Sequence, residues 1–222
     1  MPVIRHMAVD GRYGHQDEKR MRTPDFPQSY AQAPEATSAR ASVGAGLVEI
    51  TSERLRLRPH ALDDLDDCIS LWSDPDVVRH IGGKPSTREE VWQRLLRYAG
   101  HWSLMNFGFW AIRDAVTDRF LGDIGLADFK RELDPSFASW PECGWALLPS
   151  AHGKGYAAEA LRAVLGWADT NLEADRVVCL IDPANRPSIQ LAERCGFARF
   201  GISDYWGAQS WLFERRRPQA DR

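Results

Sequence analysis

The segment Ser150–Ala157 joins a predicted strand to a predicted helix and carries the residues best suited to bind a ligand. Glycines at positions 153 and 155 let the backbone approach a ligand without interference from a Cβ atom. The first amides of the following helix lack intrahelical acceptors, and the helix dipole favours an anion there. A phosphate or pyrophosphate is therefore the expected ligand. The alternative is an ordinary strand-to-helix turn that needs glycine only for its geometry.

Two nucleotide-binding motifs can be compared directly with this loop. A P-loop is excluded, because Lys154 is followed by Gly155 and not by serine or threonine. The dinucleotide pattern fits formally as Gly153-x-Gly155-x-x-Ala158, since alanine is tolerated at its third position. That pattern ordinarily follows the first strand of its domain, whereas this loop follows several predicted strands and two predicted helices. We therefore do not expect a dinucleotide site.

A second block of polar and turn residues, Asn185 to Phe197, follows the next buried strand. Pro187 lies near the start of its predicted helix, and Gly196 is suited to end it. Asn185 and Ser188 lie at the entrance of this helix. They either cap the helix or hydrogen-bond to a ligand that lies across the same end of the sheet.

The elements that position these residues follow from hydrophobic periodicity. Glu142–Leu148 is predicted to be a strand that ends at Pro149, Ala157–Ala168 an amphipathic helix, and Val177–Ile181 a buried strand. This order fits a βαβ crossover, so the two strands should be parallel. Upstream, the patterns predict a strand over Thr51–Arg58 that is stopped by Pro59, and then a helix from Asp63 to about Trp72. A capping box of Thr87 and Glu90 predicts a second helix that runs to about Leu104. The segments Phe109–Arg113 and Arg119–Leu126 are predicted to form a hairpin.

Length and composition place these elements in one domain. The chain has 222 residues, of which 44% are hydrophobic and 27% charged, with a net charge of -3. Residues 1–46 contain only five Val, Ile, Leu, Phe or Trp residues, too few to offset the entropy of ordering them. We expect a disordered extension over residues 1–46, one folded domain over residues 47–216 and a short tail over residues 217–222.

Composition also excludes several classes of protein. No run approaches the roughly 18 apolar residues of a membrane span, and an acidic balance of mixed signs gives no reason to expect nucleic-acid binding. The four cysteines contain no CxxC pair, which indicates reduced thiols in a cytoplasmic protein. The four aspartates at positions 63, 64, 66 and 67 favour a solvated helix start. No metal site is expected from their spacing.

The two blocks together resemble the cofactor motifs of the GNAT superfamily of N-acetyltransferases. The family's first motif reads Gln/Arg-x-x-Gly-x-Gly/Ala, and this chain has His152-Gly-Lys-Gly155-Tyr-Ala157. Its second motif, Asn-x-x-Ser/Ala-x-x-Leu-x-x-x-x-Gly-Phe, is matched by Asn185, Ser188, Leu191, Gly196 and Phe197. The segments Glu53–Pro59, Asp74-Pro75 and Leu121–Gly125 also resemble the branch that contains ribosomal-protein N-terminal acetyltransferases.

The resemblance implies a fold and an activity. The fold is of the α/β (α+β) class, a single GNAT-like domain with a mixed, strongly bent sheet and helices on both faces. Its fourth strand, here Cys143–Leu148, and its fifth, here Val177–Ile181, splay apart to admit the pantetheine arm of acetyl-CoA. The implied reaction is acetyl transfer from acetyl-CoA to a primary amine of a protein N-terminus or a small molecule. Transfer is by direct attack in a ternary complex, without a metal, in a monomer or homodimer. The alternative is a CoA-binding regulatory module without catalysis.

The resemblance also assigns roles to residues of the cofactor site. Asn185 would contact the pantetheine, a strand N–H near Trp145 to Leu148 would polarise the thioester carbonyl, and His152 replaces the usual Gln or Arg. The residues implied in cofactor binding are Leu147, Leu148, His152, Gly153, Lys154, Gly155, Tyr156, Ala157, Asn185 and Ser188.

Two residues are candidates for proton transfer. Glu142 occupies the family's acidic position before Gly144-Trp145, and we predict that it takes a proton from the amine, directly or through water. A solvated strand-end carboxylate is the alternative. Ala192 stands where the family often has a tyrosine, so Ser188 becomes the predicted proton donor to the leaving thiolate.

The acceptor amine is not identified by any of these patterns. Acceptor specificity is expected in the loops Arg79–Thr87 and Lys130–Pro141, whose sequences contain no decisive charge pattern. Tyr205 and Trp206 either line the acceptor pocket or belong to an ordinary final hairpin.

Overall fold

The computed structural model describes residues 48–137, 140–205 and 207–218, and in these residues eight strands form one open sheet. The strands, numbered along the chain, are β1 (Ile50–Thr51), β2 (Leu55–Pro59), β3 (Phe109–Asp114), β4 (Phe120–Ala127), β5 (Glu142–Leu147), β6 (Arg176–Ile181), β7 (Ala198–Tyr205) and β8 (Ala208–Arg216). Their order across the sheet is β1-β2-β3-β4-β5-β6-β8-β7. All neighbours are antiparallel except β5 and β6, which are parallel as predicted.

Among the described residues, five α-helices connect or cover these strands: α1 (Leu65–Trp72), α2 (Pro75–Val78), α3 (Arg88–Met105), α4 (Tyr156–Asn171) and α5 (Arg186–Arg194). The predicted capping box opens α3. The Glu90 N–H donates to Thr87 Oγ1 at 3.2 Å, and the Thr87 N–H donates to Glu90 Oε2 at 2.7 Å. These two bonds satisfy otherwise orphaned amides at the helix start.

Helices pack on both faces of the sheet because side chains alternate along each strand. On β3, Trp110 and Ile112 pack in the cluster that contains α4 and α5, whereas Ala111 packs with α1 and α3. On β5, Leu147 faces the α4 side and Ala146 the α1 side. The predicted mixed sheet with helices on both faces is therefore confirmed.

The parallel neighbours β5 and β6 meet at one end only. In the part of the chain that the structure describes, Glu142 and Val178 are their one paired position, and the Val178 N–H donates to the Pro141 carbonyl at 3.0 Å. Beyond this point the strands separate. They are the strands predicted to splay, shifted by one in number because the short β1 precedes them.

One local prediction near the first strands was wrong. The single strand over Thr51–Arg58 is two strands, because the Ser52 N–H donates to the Leu55 carbonyl at 2.9 Å and reverses the chain. The predicted end at Pro59 is confirmed, and Pro59 itself is the last residue of β2, opposite Trp110. A proline at a strand end removes one donor and keeps a φ compatible with extended backbone.

The expectation of a solvated acidic helix start was wrong for one residue, Asp64. This carboxylate is fully buried and accepts bonds from Arg58 on β2, at 2.7 Å to each oxygen, and from Arg113 on β3. These bonds and the Ala61 amide lower the pKa of Asp64 to about 2 against the opposing effect of burial. Arg58 precedes Asp64 by six residues, whereas Arg113 follows it by 49 residues, and helical periodicity indicates neither contact.

Some predictions fall partly or wholly outside the described residues. The extension over residues 1–46 lies entirely outside the described residues, and so does most of the tail. Of the tail, the Arg217 N–H donates to the Asp175 carbonyl at 2.9 Å. No helix among the described residues is long and apolar enough to cross a membrane. The four cysteines are buried free thiols.

Candidate functional site

The turn before α4 leaves the first amides of that helix without protein acceptors. Gly153 and Gly155 have φ values of +73° and +82°, a left-handed conformation that costs residues with a Cβ roughly 1–2 kcal/mol. No side chain caps the helix, and its first intrahelical bond runs from the Glu159 N–H to the Gly155 carbonyl at 3.1 Å. The amides of Tyr156 and Ala157 thus face outward at the positive end of the dipole.

Arg54, which sequence reasoning missed, holds this loop against α4. Its guanidinium donates to the Lys154 carbonyl at 3.0 Å and to Glu159 Oε2 at 2.8 Å, and lies 4.8 Å from the centre of the Tyr156 ring. Ser52 also donates to Glu159, at 2.8 Å. Glu159 lies four residues after Gly155, but its partners precede it by about a hundred residues, so no local motif indicates them.

His152 has a role that differs from both sequence alternatives. Its Nε2 lies 2.9 Å from the Leu147 carbonyl oxygen. Because a carbonyl only accepts, Nε2 must carry the proton. The imidazole therefore ties the loop to the end of β5, instead of facing a phosphate or only solvent.

The backbone of β5 divides its donors between two sides. The Leu148 N–H donates to the Leu121 carbonyl at 2.9 Å and so points toward β4. Since successive backbone groups alternate in direction, the N–H groups of Trp145 and Leu147 point toward the gap between β5 and β6. Of the predicted carbonyl-polarising donors, Leu148 is therefore engaged elsewhere, which restricts the choice to Trp145 and Leu147.

Asn185 and Ser188 lie on the far side of this gap. The Ser188 N–H donates to Asn185 Oδ1 at 3.2 Å, so Asn185 is the helix cap and its amide NH₂ remains a donor. The Trp145 indole N–H donates to Ser188 Oγ at 3.3 Å. This bond connects α5 to β5 across the gap and fixes the position of the hydroxyl.

Glu142 is buried and ion-paired, so the alternative of a solvated strand-end carboxylate was wrong. Arg131 donates to both carboxylate oxygens, at 2.6 Å from Nε and 2.8 Å from Nη2. The two side chains are 18% and 7% exposed. Burial raises the pKa of Glu142, and the charge and hydrogen bonds of Arg131 oppose that shift. Arg131 follows no motif, which is why the sequence did not indicate it.

The structure does not bring the two predicted proton-transfer residues together. Ala146 packs on the α1 side of the sheet, and Glu142 shares its face because the two are four residues apart on one strand. Ser188 bonds to Trp145, on the opposite face. Tyr205 lies near Glu142, with its ring centre 4.7 Å from the Arg131 guanidinium carbon; Trp206 lies outside the described residues.

A row of buried polar side chains, which the sequence did not indicate, lies on the α1 side of the sheet. Cys68 Sγ is 3.6 Å from His60 Nδ1, and His60 Nε2 is 3.2 Å from Asp123 Oδ1. These residues offer three potential metal-ligand atoms within 4.8 Å of one another. Cys68 approaches one nitrogen of the ring and Asp123 the other. Trp72 donates to Asp123 at 2.7 Å and anchors α1 to β4.

Comparisons with known proteins agree with this geometry. Residues 54–198 match the family described as Acetyltransferase (GNAT) domain. The chain belongs to the GNAT acetyltransferase family. The GNAT relative named Uncharacterized N-acetyltransferase p20, from Bacillus licheniformis, is 28% identical over 165 residues, which are 73% of this chain and 90% of that protein. The predicted resemblance and the prediction of an N-acyltransferase are confirmed.

Solved GNAT structures extend the comparison. An acetyltransferase from Agrobacterium tumefaciens is 26% identical, with a TM-score of 0.68 over 80% of this chain and 99% of that one. RimL, a ribosomal L7/L12 α-N-protein acetyltransferase solved with coenzyme A, has a TM-score of 0.64 at 15% identity over 76% of this chain and 98% of that one. At that identity the likeness shows the fold alone. The branch suggested by the sequence is thus among the structural neighbours.

Proposed function

We propose that this protein transfers the acetyl group of acetyl-CoA to a primary amine by direct attack in a ternary complex. The observation that carries the proposal is the juxtaposition of two unfilled features. One is the N-terminus of α4, which no side chain caps, and the other is the gap between β5 and β6. The pyrophosphate of CoA would supply an anion at the N-terminus of α4, and its pantetheine would supply an extended chain in the gap between β5 and β6.

The residues of the loop and the gap fit this ligand. The amides of Gly153, Lys154, Gly155, Tyr156 and Ala157 would bind the pyrophosphate. Beside the pantetheine, the N–H groups of Trp145 and Leu147 would bond to its amides or to the thioester oxygen. The free NH₂ of Asn185 would bond there as well. His152 and Leu148 would act indirectly, by holding the loop and the strand.

Proton transfer is assigned to Glu142 and Ser188. Each carboxylate oxygen of Glu142 that accepts from Arg131 retains a second lone pair. Glu142 would therefore take the ammonium proton through a water, because a neutral amine is required for attack. As the new C–N bond forms and the C–S bond breaks, Ser188 would pass a proton to the departing thiolate. Glu142 would release the first proton to solvent before it takes the second one from the amine, and Ser188 would regain its proton from solvent, so that one proton is released in each turnover.

The proposal is tested first by calorimetry and thiol release. Acetyl-CoA should bind to the full chain, and a panel of primary amines should include one that accelerates thiol release. Binding without turnover for every amine would favour the regulatory module. Absence of binding at millimolar acetyl-CoA would contradict both functions.

The role of Glu142 has its own test. Glu142→Gln keeps the shape of the side chain and should lower turnover by about 10²-fold, the lower end for loss of a general base. The loss should be greatest at low pH, where most of the amine is protonated. An unchanged pH–rate profile with unchanged CoA affinity would remove Glu142 from the mechanism.

We also propose that residues 47–216, which include the family match, form the catalytic domain.

A further inference from the structure

Two arginines of α3 approach the Glu142 side of the sheet. Arg94 and Arg97 are three residues apart, so they lie on neighbouring positions of one helix face. The positive charge of Arg97 acts on Glu142 and lowers the pKa of that carboxyl, opposing burial. Arg97 is therefore close enough to the proposed base to affect what binds beside it, and Arg94 precedes it by about one helical turn. We call these two residues the arginine pair.

Neither member of the arginine pair has a carboxylate partner. Among residues 48–137, 140–205 and 207–218, no Asp or Glu lies within ion-pairing distance of either guanidinium. Arg94 stacks on Trp72, with its guanidinium carbon 3.7 Å from the ring centre, and its buried Nε has no hydrogen-bond partner. A buried N–H of a charged group without an acceptor is unfavourable, and an oxyanion would satisfy it.

Arg131 adds a third positive charge to the same place. The guanidinium carbons of Arg97 and Arg131 lie 5.2 Å and 4.7 Å from the centre of the Phe129 ring. The two carbons are therefore no more than about 10 Å apart, comparable to the screening length of about 8 Å at physiological ionic strength. Burial and the charges of Arg94 and Arg131 lower the pKa of Arg97, as expected for crowded cations.

The arginine pair forms no ion pair among the described residues. Glu142 is paired with Arg131 and Asp128 with Lys130. Asp123, whose charge acts together with that of Arg94 on Tyr98, lies beside His60 and accepts from Trp72. The acidic side chains of Glu132, Asp134 and Asp204 line a cavity whose lining does not include the arginine pair. Arg97 is accessible to solvent, and an exposed guanidinium without an ion-pair partner attracts an anion.

We propose that the acceptor amine carries an oxyanion, a carboxylate or a phosphate, which the arginine pair binds while the amine faces Glu142. This inference rests on the proposed acetyl transfer and specifies its substrate class. Planar guanidinium groups suit both oxyanions, because they donate two parallel hydrogen bonds. The site assigned to the anion combines α3 with the segment around Phe129, so it lies outside the predicted specificity loop Arg79–Thr87.

Matched amines test the preference for an anion. The probes are 4-aminobutyrate against 4-aminobutyramide, and 2-aminoethyl phosphate against 2-aminoethanol, with spermidine as a purely cationic amine. Each is titrated calorimetrically into the full-length protein saturated with CoA, and each is then assayed for thiol release with acetyl-CoA. The anionic member of at least one pair should bind at least ten times more tightly than its neutral analogue.

Arg97→Gln tests the assignment to the arginine pair, and Arg88→Gln is the control. Both remove one positive charge from α3, but Arg88 is exposed and pairs with Asp66 at the helix start. The Arg97 variant should weaken binding of the anionic amine by ten- to a hundredfold, as for loss of one charged hydrogen bond. Its affinity for the neutral analogue should not change. Arg97→Lys should restore part of the loss, and Arg88→Gln should behave as the wild type.

The outcomes separate the two proposals. Thiol release with neutral amines or spermidine, but without preference for the anionic probes, would overturn the anion site and leave acetyl transfer intact. Equal effects of Arg97→Gln and Arg88→Gln would overturn it too, as would absence of binding by both anionic amines. Anion binding that depends on Arg97, without thiol release from any amine, would contradict acetyl transfer alone.

Discussion

Removal of Arg131 should produce a stability defect that depends on pH. Both side chains of the Arg131–Glu142 pair are mostly buried and joined by two short bonds. In Arg131→Met the packing volume is largely kept, but Glu142 loses its compensating charge. Breaking a buried pair in this way costs about 3–5 kcal/mol, a large part of the roughly 5–15 kcal/mol that stabilises a typical domain.

The pH dependence follows from the pKa of Glu142. Burial already raises this pKa, and without Arg131 it rises further. A carboxyl whose pKa is higher in the folded state contributes stability below its unfolded pKa of about 4.3, and that contribution disappears as pH rises through the folded value. A defect of 3 kcal/mol at pH 8 should therefore shrink by about 1.4 kcal/mol for each unit by which the folded pKa is raised, as pH falls toward 4.

Urea unfolding at pH 5 and pH 8 measures the effect. The wild type, Arg131→Met, Glu142→Gln and the double variant form a double-mutant cycle. The double variant should be more stable than Arg131→Met at pH 8, because a neutral amide needs no counter-charge. A defect of Arg131→Met that is equal at both pH values, and not relieved by Glu142→Gln, would refute the reasoning.

Three further changes address the loop, the hydroxyl and the buried carboxylate. Gly155→Glu adds a Cβ at a left-handed position and a charge that repels phosphate, so CoA affinity in calorimetry should fall by at least about 10²-fold; Gly166→Ala, with open space around it, is the control. Ser188→Ala should lower kcat by about 10²-fold with little change in KM for acetyl-CoA, and an unchanged kcat would exclude it as the proton donor. Asp64→Asn should lose about 2 kcal/mol or more at neutral pH, from a pKa of about 2 against 3.8 in the unfolded chain. Acid titration of unfolding should show this difference above pH 4 and its decrease as pH falls toward 2; a constant difference would contradict it.

The sequence was sufficient where the determinants are local. The capping box of α3, the glycine turn before α4 and the Asn185 cap of α5 each depend on residues within a few positions of one another. The parallel pairing of β5 and β6 also followed, because a strand, a helix and a strand in succession allow few arrangements. Together with the family resemblance, these elements predicted the sheet and the glycine turn before α4.

Side-chain environments were beyond the sequence because their partners do not lie at the regular spacings of a helix, a strand or a cap. Nothing near Glu142 indicates that Arg131 will fold over it, and Asp64 is buried by arginines of two strands. The motif predicts His152 beside a phosphate, whereas its Nε2–H donates a hydrogen bond to the Leu147 carbonyl. In each case tertiary contacts determine which group is charged, exposed or free to react.

Within the part of the chain that the structure describes, Glu142 and Val178 form the one bridge between β5 and β6, so the sheet consists of two parts that few hydrogen bonds connect. One leaf has five strands, β1 to β5, and the other has three, β6, β8 and β7. Few ladder hydrogen bonds oppose a relative rotation of the leaves, so α4 and α5, which pack in one core with both, resist it. A ligand that bonds to both leaves would hold them together. Because it would bind only the folded protein, a higher ligand concentration would raise the unfolding temperature by mass action. Amides at Trp145 and Leu147 should then exchange with deuterium quickly without ligand and slowly with it.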